Sequence, residues 1–301
     1  MDPAVSVIVC SRNRADSLRR VLEALARSPA ADDVEVIAVD NGSTDHTERV
    51  VAEVTAGASV RVRYLREPRH GKAFALNRGV ASAQGDLLCF TDDDVTLHGG
   101  WLRAFREAFR DPACLGAAGR ILPEFDGDPP PWLPDAFPFP FRYDFGVTAG
   151  EARAPAFGAN MAYRRRAFER FGTFREDLGP TSANPIGLGE DSEFCRRLMQ
   201  AGELVRYVPE ALVHHPVSRQ QATKGFLRAW HFRLGRAMAR REPVPGEDRR
   251  VLGAPRHLLR TLLTSGLGWC LATDRTRRLS HSLAFYRAWG QVLEYRSAPR
   301  S

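Results

Sequence analysis

The stretch Gly85-Asp86-Leu87-Leu88-Cys89-Phe90-Thr91-Asp92-Asp93-Asp94 indicates how this chain is built. An apolar run of strand length ends at three adjacent carboxylates. Side chains alternate along an extended segment, so we expect Asp92 and Asp94 on one side and Asp93 on the other. The two like charges repel, and a hard divalent cation with oxygen ligands would relieve that repulsion. A solvated acidic turn is the alternative on this stretch alone.

Upstream, the chain alternates between two hydrophobic patterns. Runs rich in β-branched residues predict strands at 5–10, 34–39 and 60–65, and apolar residues at helical spacing predict intervening helices, the second from Thr44. Strands separated by such helices are typical of βαβ units, so we expect an α/β fold with a largely parallel sheet. Residues 60–65 alternate apolar side chains with arginines, which predicts an edge strand.

Polar clusters follow the first two predicted strands, at Cys10-Ser11-Arg12-Asn13-Arg14 and Asp40-Asn41-Gly42-Ser43-Thr44. The carboxyl ends of parallel strands share one edge, so both clusters should line one crevice with the triple aspartate. Neither contains GxGxxG or GxxxxGK[ST], which argues against standard dinucleotide and P-loop binding. Asp40 could accept from a base or ribose hydroxyl, and Ser43 or Thr44 is predicted to cap the next helix.

Two further segments place charge near this edge. Arg69-His70-Gly71-Lys72 opens the third helix, where its positive charge and N–H groups could hold a diphosphate. His214-His215-Pro216 ends a strand predicted from Glu210 to His214, and these histidines are either metal ligands or structural residues.

Gly187-Leu188-Gly189-Glu190-Asp191 is predicted to open a helix that reaches residue 201. Asp191 shares its inward face with apolar positions, whereas Glu190, Glu193 and Arg197 are predicted to form exposed pairs on another face. A carboxylate on an apolar face is destabilising unless it is used or paired. Asp191 is therefore a candidate general base, with helix capping as the alternative.

The second half loses the βαβ rhythm. Residues 123–145 are rich in proline and aromatic residues, which is typical of a binding loop, with a linker as the alternative. From residue 219 onward the pattern is helical and basic: 17 basic and 5 acidic residues, against 26 and 31 in residues 1–218. This asymmetry suggests an anionic partner, which could be nucleic acid, lipid headgroups or a charged acceptor.

Composition narrows the class of protein. The chain has 301 residues, of which 44% are hydrophobic, and five widely spaced cysteines without a CxxC pair. These cysteines favour reduced, packed thiols over a disulfide framework or a zinc site. No signal peptide or spanning segment is evident, so we expect a cytoplasmic protein.

Several blocks together resemble the inverting family 2 glycosyltransferases, which use a nucleotide-sugar donor and the GT-A fold. The resemblance covers roughly residues 5–217. Its blocks are VSVIVCSRNR (5–14), VIAVDNGSTDHT (36–47), GKAFALNRGVASAQGDLLCFTDDDV (71–95), FGANMAYRRRAFERFGTFREDLG (157–179) and GEDSEFCRRLMQAG (189–202). Phe171-Gly172 departs from the Gly-Gly of many relatives, which should alter only a turn.

The resemblance implies a role for each matching residue. Asp92 and Asp94 match the DxD motif for Mn²⁺ or Mg²⁺, and His215 matches a histidine that completes metal binding in some members. Asp191 matches the catalytic base. The remaining assignments are Ser11, Asn13, Arg14, Asp40, Lys72 and Asp93 to the donor nucleotide and its sugars, and Gly158, Ala159, Asn160 and Glu190 to the donor sugar or acceptor.

These implications define the expected protein. Residues 1–218 form a GT-A catalytic domain, with a nucleotide-binding half (1–122) and an acceptor or catalytic half (123–218), and residues 219–301 form a basic helical extension. We expect metal-dependent, inverting transfer from a nucleoside-diphosphate sugar to an acceptor hydroxyl, in polysaccharide, glycolipid or glycosylated-metabolite synthesis. A nucleotidyltransferase and a non-enzymatic nucleic-acid-binding protein are the alternatives, although no nucleic acid is expected as a partner.

The basic extension leaves two readings open. The arginines at 228, 233, 236 and 240 lie among apolar residues, so they could meet an anionic surface at the inner face of the membrane. A plain solvated face is the alternative.

Overall fold

The structure is a computed structural model that describes residues 4–27, 33–134, 139–182, 184, 187–241, 250–251 and 253–297. The strands are β1 (Val5–Ser11), β2 (Val34–Asp40), β3 (Arg61–Arg66), β4 (Leu87–Asp92), β5 (Thr96–Leu97), β6 (Cys114–Phe125), β7 (Gly150–Glu151), β8 (Asn160–Arg164), β9 (Leu204–Val217), β10 (Arg250–Val251) and β11 (Ala254–Pro255). The helices are α1 (Ala15–Ala26), α2 (Thr47–Gly57), α3 (Lys72–Ser82), α4 (Trp101–Ala108), α5 (Arg165–Phe171), α6 (Glu190–Gln200), α7 (Lys224–Arg241), α8 (Arg256–Leu271) and α9 (Arg275–Ser297).

The chain divides into two compact units. The first comprises residues 1–124, 141–185 and 190–216, and the second comprises residues 125–140, 186–189 and 217–301.

A central mixed sheet organises the first unit, with the strand order β3-β2-β1-β4-β8-β6-β9-β5 and β7 also paired to β9. The first four strands in this order are parallel, as the βαβ pattern predicts, and β3 lies at the edge. Strand β8 joins β4 antiparallel. The carboxyl ends of β1, β2 and β4 therefore meet at one edge, called the rim below.

Burial on both faces explains the apolar composition of the central strands. All seven residues of β2 are buried, as are nearly all those of β1 and β4. Beside β4, an aromatic cluster of Phe90, Tyr163, Phe168, Phe174 and Phe194 fills the core, with the Phe168 and Phe194 rings stacked at 4.4 Å. Phe194 fixes α6 on the sheet, and α6 carries Asp191.

Some predicted boundaries were wrong. Helix α2 begins at Thr47 and not at Thr44, so the predicted cap at Ser43 or Thr44 was wrong. The Ser43 hydroxyl accepts instead from the Asn13 backbone N–H (3.0 Å), and Asp45, just before the helix, accepts from the Thr47 N–H (3.1 Å). Strand β9 is much longer than the predicted strand from Glu210 to His214. The predicted loop begins later than expected because β6 continues to Phe125, and residues 135–138 of that loop lie outside the described residues.

The second unit is built on the close crossing of α7 and α9. A Cβ atom at Gly235 would lie 1.9 Å from the Arg287 carbonyl oxygen, and one at Gly290 would lie 2.1 Å from that of Phe232. Only glycine permits such an approach. Helix α8 packs on α9 through Leu258 and Val292. No helix in the described ranges is long and apolar enough to cross a membrane.

Candidate active site

The triple aspartate lies at the rim and divides as the alternation predicts. Asp93 is buried, and its carboxylate accepts from the Ser11 hydroxyl (2.6 Å) and from Arg14 (3.2 Å). Arg14 also donates to Asp94 Oδ2 at 2.7 Å. Burial raises the pKa of Asp93, and the charges of Asp92 and Asp94 add to that effect. In this structure Ser11 and Arg14 therefore hydrogen-bond to the aspartates themselves.

Asp92, Asp94 and His215 form a group that could hold a metal ion. One ligand atom from each lies within 4.8 Å of the others, although His215 comes from β9, far along the chain. Among the described residues, no hydrogen-bond donor reaches the buried Asp94 Oδ1, and His215 Nε2 lies 3.9 Å from it. A buried carboxylate oxygen without a donor fits a cation ligand.

The surroundings of His215 fix which ring nitrogen could bind a metal. Its Nδ1 lies 3.0 Å from the Pro216 carbonyl oxygen, which can only accept, so Nδ1 carries the proton. The Nε2 lone pair then faces Asp94, as ligating histidines require. The Phe141 ring packs on the imidazole at 4.5 Å between centroids. His215 is thereby oriented before any ion arrives.

The polar cluster after β2 contains Asp40, whose carboxylate accepts two hydrogen bonds. Asp40 accepts from the Ser43 backbone N–H (2.7 Å) and from the Tyr64 hydroxyl (2.7 Å). Asn13 has a positive φ of 53° and accepts from the Thr44 N–H at 2.8 Å, which ties the first rim loop to the second. Tyr64 was not foreseen as a site residue. The sequence feature that could have indicated this role is the position of Tyr64 in β3, where apolar and polar side chains alternate.

Lys72 directly contacts the candidate metal-binding group of Asp92, Asp94 and His215, called the metal group below. Its Nζ lies 2.6 Å from Asp92 Oδ1. Burial alone would lower the pKa of Lys72, but Asp92, Glu190 and Asp191 outweigh it and the pKa is raised. Burial would raise the pKa of Asp92, but Lys72, with smaller effects of His215 and Arg14, holds this pKa below its ordinary value.

Asn41 holds the loop that positions Lys72, whereas the sequence pattern predicted only a turn at this residue. Its Oδ1 accepts from the Gly71 N–H (2.8 Å) and its Nδ2 donates to the Arg69 carbonyl (2.7 Å). Asn41 is thus a positioning residue for the start of α3.

Asp191 lies in the first turn of α6, next to Gly158. Its Oδ2 accepts from the Gly158 N–H at 2.5 Å, and its Oδ1 from the Ser192 N–H at 2.6 Å. A Cβ atom at Gly158 would lie 2.9 Å from Asp191 Oδ2 and 3.2 Å from Lys72 Nζ. Because Gly158 has no side chain, Asp191 and Lys72 can both lie next to it. Lys72 in turn contacts the metal group through Asp92.

The predicted exposure of Glu190 and Glu193 was wrong, since both are buried. Glu193 pairs with Arg197 at 3.0 Å, which satisfies its charge. Burial and the neighbouring Asp191 raise the pKa of Glu190 to about 7, although Lys72 acts in the opposite direction. The helical wheel failed here because the chain around residue 179 covers this face: a Cβ at Gly179 would lie 3.0 Å from Glu190 Oε2.

Asn160 has a structural side chain. It is fully buried, donates to the carbonyls of Arg120 (2.8 Å) and Ala211 (2.6 Å), and accepts from the Trp101 indole (2.8 Å). Both Nδ2 hydrogens are therefore used inside the fold, and the predicted place of Asn160 beside the donor sugar stays a prediction. Ala159 is also buried, and its carbonyl accepts from Thr91 at 3.0 Å.

This fold is found in proteins of known class. The sequence model described as "Glycosyl transferase family 2" matches residues 6–172. A mannosyltransferase from Pyrobaculum calidifontis, solved in complex with GDP-Man and Mn²⁺, has a similar structure, with a TM-score of 0.61 and 18% identity over 95% of this chain and 86% of that one. That likeness shows a GT-A fold.

The chain belongs to glycosyl transferase family 2, because the family match covers more than half of it. It is 31% identical over 221 residues to the pre-mycofactocin glycosyltransferase of Mycobacterium tuberculosis, a match that covers 70% of this chain and 42% of that protein. It is 28% identical over 240 residues to the succinoglycan biosynthesis protein ExoM of Rhizobium meliloti, which covers 78% and 74% respectively.

Proposed function

We propose that the chain is a metal-dependent, inverting glycosyltransferase that moves a sugar from a nucleoside-diphosphate sugar to an acceptor hydroxyl. The observation that carries the proposal is the convergence of Asp92, Asp94 and His215 at the rim, with Asp191 beside them across Gly158. One side of this arrangement fits a diphosphate, and the other fits a hydroxyl that must lose a proton.

The metal group fits Mn²⁺ or Mg²⁺, because two carboxylates offer the oxygen ligands that hard cations prefer. Two observations support this fit. Asp94 Oδ1 receives no hydrogen bond among the described residues, and the protonated Nδ1 of His215 leaves its Nε2 available as a ligand. When bound, the ion would offset the charge that develops on the departing diphosphate. Arg14 and Lys72 contribute further positive charge on either side of the aspartates.

Asp191 supplies the proton acceptor in the proposed reaction. Its carboxylate takes the proton of the acceptor hydroxyl while that oxygen bonds to the anomeric carbon, and the bond from that carbon to the diphosphate breaks on the opposite face. The configuration therefore inverts in a single step. The Gly158 N–H holds one carboxylate oxygen of Asp191, which fixes the direction of the base.

The donor nucleotide fits the loops after β1 and β2. We propose that Ser11, Asn13, Arg14 and Asp93 border it and that Asp40 binds the base or ribose. Because Asp40 already accepts from Ser43 and Tyr64, a nucleotide would add to or replace the Tyr64 bond. Gly158, Ala159 and Glu190 would then line the sugar or acceptor.

The domain division and cellular location are also proposed. Residues 1–218 would carry transfer, the loop within 123–145 and the basic extension would shape acceptor choice, and the protein would work in the cytoplasm. One relative is named for pre-mycofactocin and another for succinoglycan biosynthesis, so these names favour no single class of acceptor.

A donor panel tests the proposal. Nucleoside-diphosphate sugars and nucleoside triphosphates are each added with Mn²⁺, and thermal shift and released products are recorded. A glycosyltransferase binds a sugar diphosphate and releases the nucleoside diphosphate. Release of pyrophosphate from a triphosphate would instead identify a nucleotidyltransferase.

A further inference from the structure

Helix α8 presents an apolar stripe on the surface of the second unit. Leu263, Leu267 and Leu271 are 66%, 54% and 75% exposed, and they are spaced four residues apart. Side chains at that spacing lie on one helix face, over about 12 Å of its length. Cys270 and Thr264 are exposed on the same face. Monomeric proteins seldom expose such a row without a use for it.

The opposite face of α8 is packed, so the stripe has a fixed orientation. Leu258 and Ser265 are buried, and the Trp269 ring lies 6.0 Å from that of Phe285 on α9. A Cβ atom at Gly268 would lie 2.6 Å from the His281 ring, which shows how closely the two helices approach. Turning the leucines inward would break these contacts.

Positive charge flanks the stripe at both ends. Arg256 and Arg260 are exposed in the first part of α8, and Arg275 and Arg277 are exposed just beyond its end. Residues 256–273 contain no aspartate or glutamate. Asp274, the next carboxylate, accepts from the Arg277 N–H at 2.7 Å and so serves the start of α9. Leucines between two basic ends are the pattern of a helix that lies in a membrane interface.

Three of the α7 arginines that were expected to face a membrane or solvent contact other residues of the second unit. Arg236 and Arg240 pair with Glu294 at 2.6 and 2.5 Å, and Arg228 lies over the Trp269 ring at 4.9 Å. These arginines hold α7 against α8 and α9. On α8, exposed leucines and exposed arginines occur together.

We propose that the exposed face of α8 is a docking surface for an anionic lipid bilayer, with Leu263, Leu267 and Leu271 entering the headgroup region and the flanking arginines contacting acidic headgroups. Pairing with a second copy of the chain fits less well. Either direction of helix pairing would bring two arginine-bearing ends together, and like charges repel. The proposal concerns helix α8 of the second unit, and it does not depend on the proposed sugar transfer.

Vesicle flotation of the full chain tests this surface. Vesicles of phosphatidylcholine with phosphatidylglycerol should carry the protein at low salt, and both added salt and vesicles of phosphatidylcholine alone should reduce binding, because the attraction is partly electrostatic. The variant Leu263→Gln/Leu267→Gln/Leu271→Gln should bind at least about tenfold more weakly, since it loses the apolar contribution. Val147→Gln, which replaces an exposed apolar residue of the first unit, should bind like wild type.

The chain supplies its own probe of insertion. Cys270 is exposed on the α8 face, whereas Cys89, Cys114 and Cys195 are buried. Burial also raises the pKa of Cys10, which slows its reaction. An environment-sensitive fluorophore on Cys270 should shift to the blue when the acidic vesicles are added, and a quencher carried by the lipids should reduce its emission.

Defined outcomes would overturn the proposal. It fails if the chain does not float with acidic vesicles at low salt, or if the leucine variant floats as well as wild type. It also fails if sedimentation equilibrium shows a wild-type dimer that the leucine variant abolishes, since the face would then join two copies. Thermal unfolding and nucleotide binding of each variant, measured in parallel, separate these outcomes from misfolding and from failure of the proposed transfer function.

Discussion

Lys72 Nζ lies 2.6 Å from Asp92 Oδ1, so an internal cation already contacts the group proposed to hold a divalent ion. Lys72 pairs with Asp92, whereas Asp94 accepts from Arg14 through Oδ2 and its Oδ1 receives no hydrogen bond among the described residues. Lys72 therefore stabilises the folded rim and repels an incoming ion. Its charge would become useful once a diphosphate adds negative charge to the site.

Replacing Lys72 should separate metal affinity from transfer. Lys72→Met removes a repelling charge, so calorimetry without nucleotide should show Mn²⁺ binding that is roughly tenfold tighter. Transfer should fall, because the diphosphate loses a cationic contact. Lys224, the other lysine of the chain, lies over Trp132 in the second unit, and Lys224→Met is the matched control. Unchanged Mn²⁺ affinity in the Lys72 variant would contradict this account.

Replacing the metal aspartates should have the opposite effect on metal binding. Asp92→Asn with Asp94→Asn removes both carboxylate charges and keeps the side-chain shapes, so Mn²⁺ affinity should fall roughly a hundredfold or more. Asp86→Asn, at an exposed carboxylate just before β4, is the control. Calorimetry with Mn²⁺ alone measures the change, and equal affinities for the two variants would remove the aspartates from the metal site.

Asp191→Asn should separate chemistry from binding. The asparagine oxygen can still accept from the Gly158 N–H, so the loop should stay in place, but the side chain can no longer take a proton. The transfer rate should fall about 10²- to 10⁴-fold while the donor Kd changes only a few-fold. Asp177→Asn changes an exposed carboxylate and should leave the rate intact. Substantial transfer by the Asp191 variant would assign the base elsewhere.

Sequence patterns predicted the features that depend on residues close together in the chain. The βαβ rhythm predicted the parallel strands, and the strand-end rule placed Ser11, Asp40 and Asp92 on one rim. The patterns could not predict contacts between distant segments. The Lys72–Asp92 pair depends on the Asn41 side chain, and the burial of Glu190 depends on the chain near Gly179, whereas a helical wheel contains only the helix itself.

Glu190 should make stability depend on pH. Its ordinary pKa of 4.5 is raised to about 7 in the fold by burial and by Asp191. Between these values the folded chain holds a proton that the unfolded chain has lost, so this group lowers stability as the pH rises, until its effect levels off above about pH 7. Glu190→Gln cannot ionise. The Tm of this variant minus the Tm of the wild type should therefore increase as the pH rises from 4.5 to about 7.

Thermal unfolding from pH 4.5 to 8 at constant ionic strength measures this difference. Glu169→Gln, at an exposed glutamate of α5, should give a curve parallel to wild type. A Glu190→Gln curve that is also parallel to wild type would show that the carboxyl is already ionised throughout the window.

The crossing of α7 and α9 should tolerate no side chain at Gly235. An alanine Cβ there would lie 1.9 Å from the Arg287 carbonyl oxygen, which belongs to the backbone and cannot rotate away. The helices must separate, which loosens the Arg236 and Arg240 pairs with Glu294, so Gly235→Ala should lower stability by about 1–3 kcal/mol or more. Gly57 ends α2 and has no atom within 4 Å of an added Cβ, so Gly57→Ala should leave stability unchanged or slightly higher. Denaturant unfolding of both variants measures the difference, and equal midpoints would mean that α7 and α9 do not cross as closely as the structure shows.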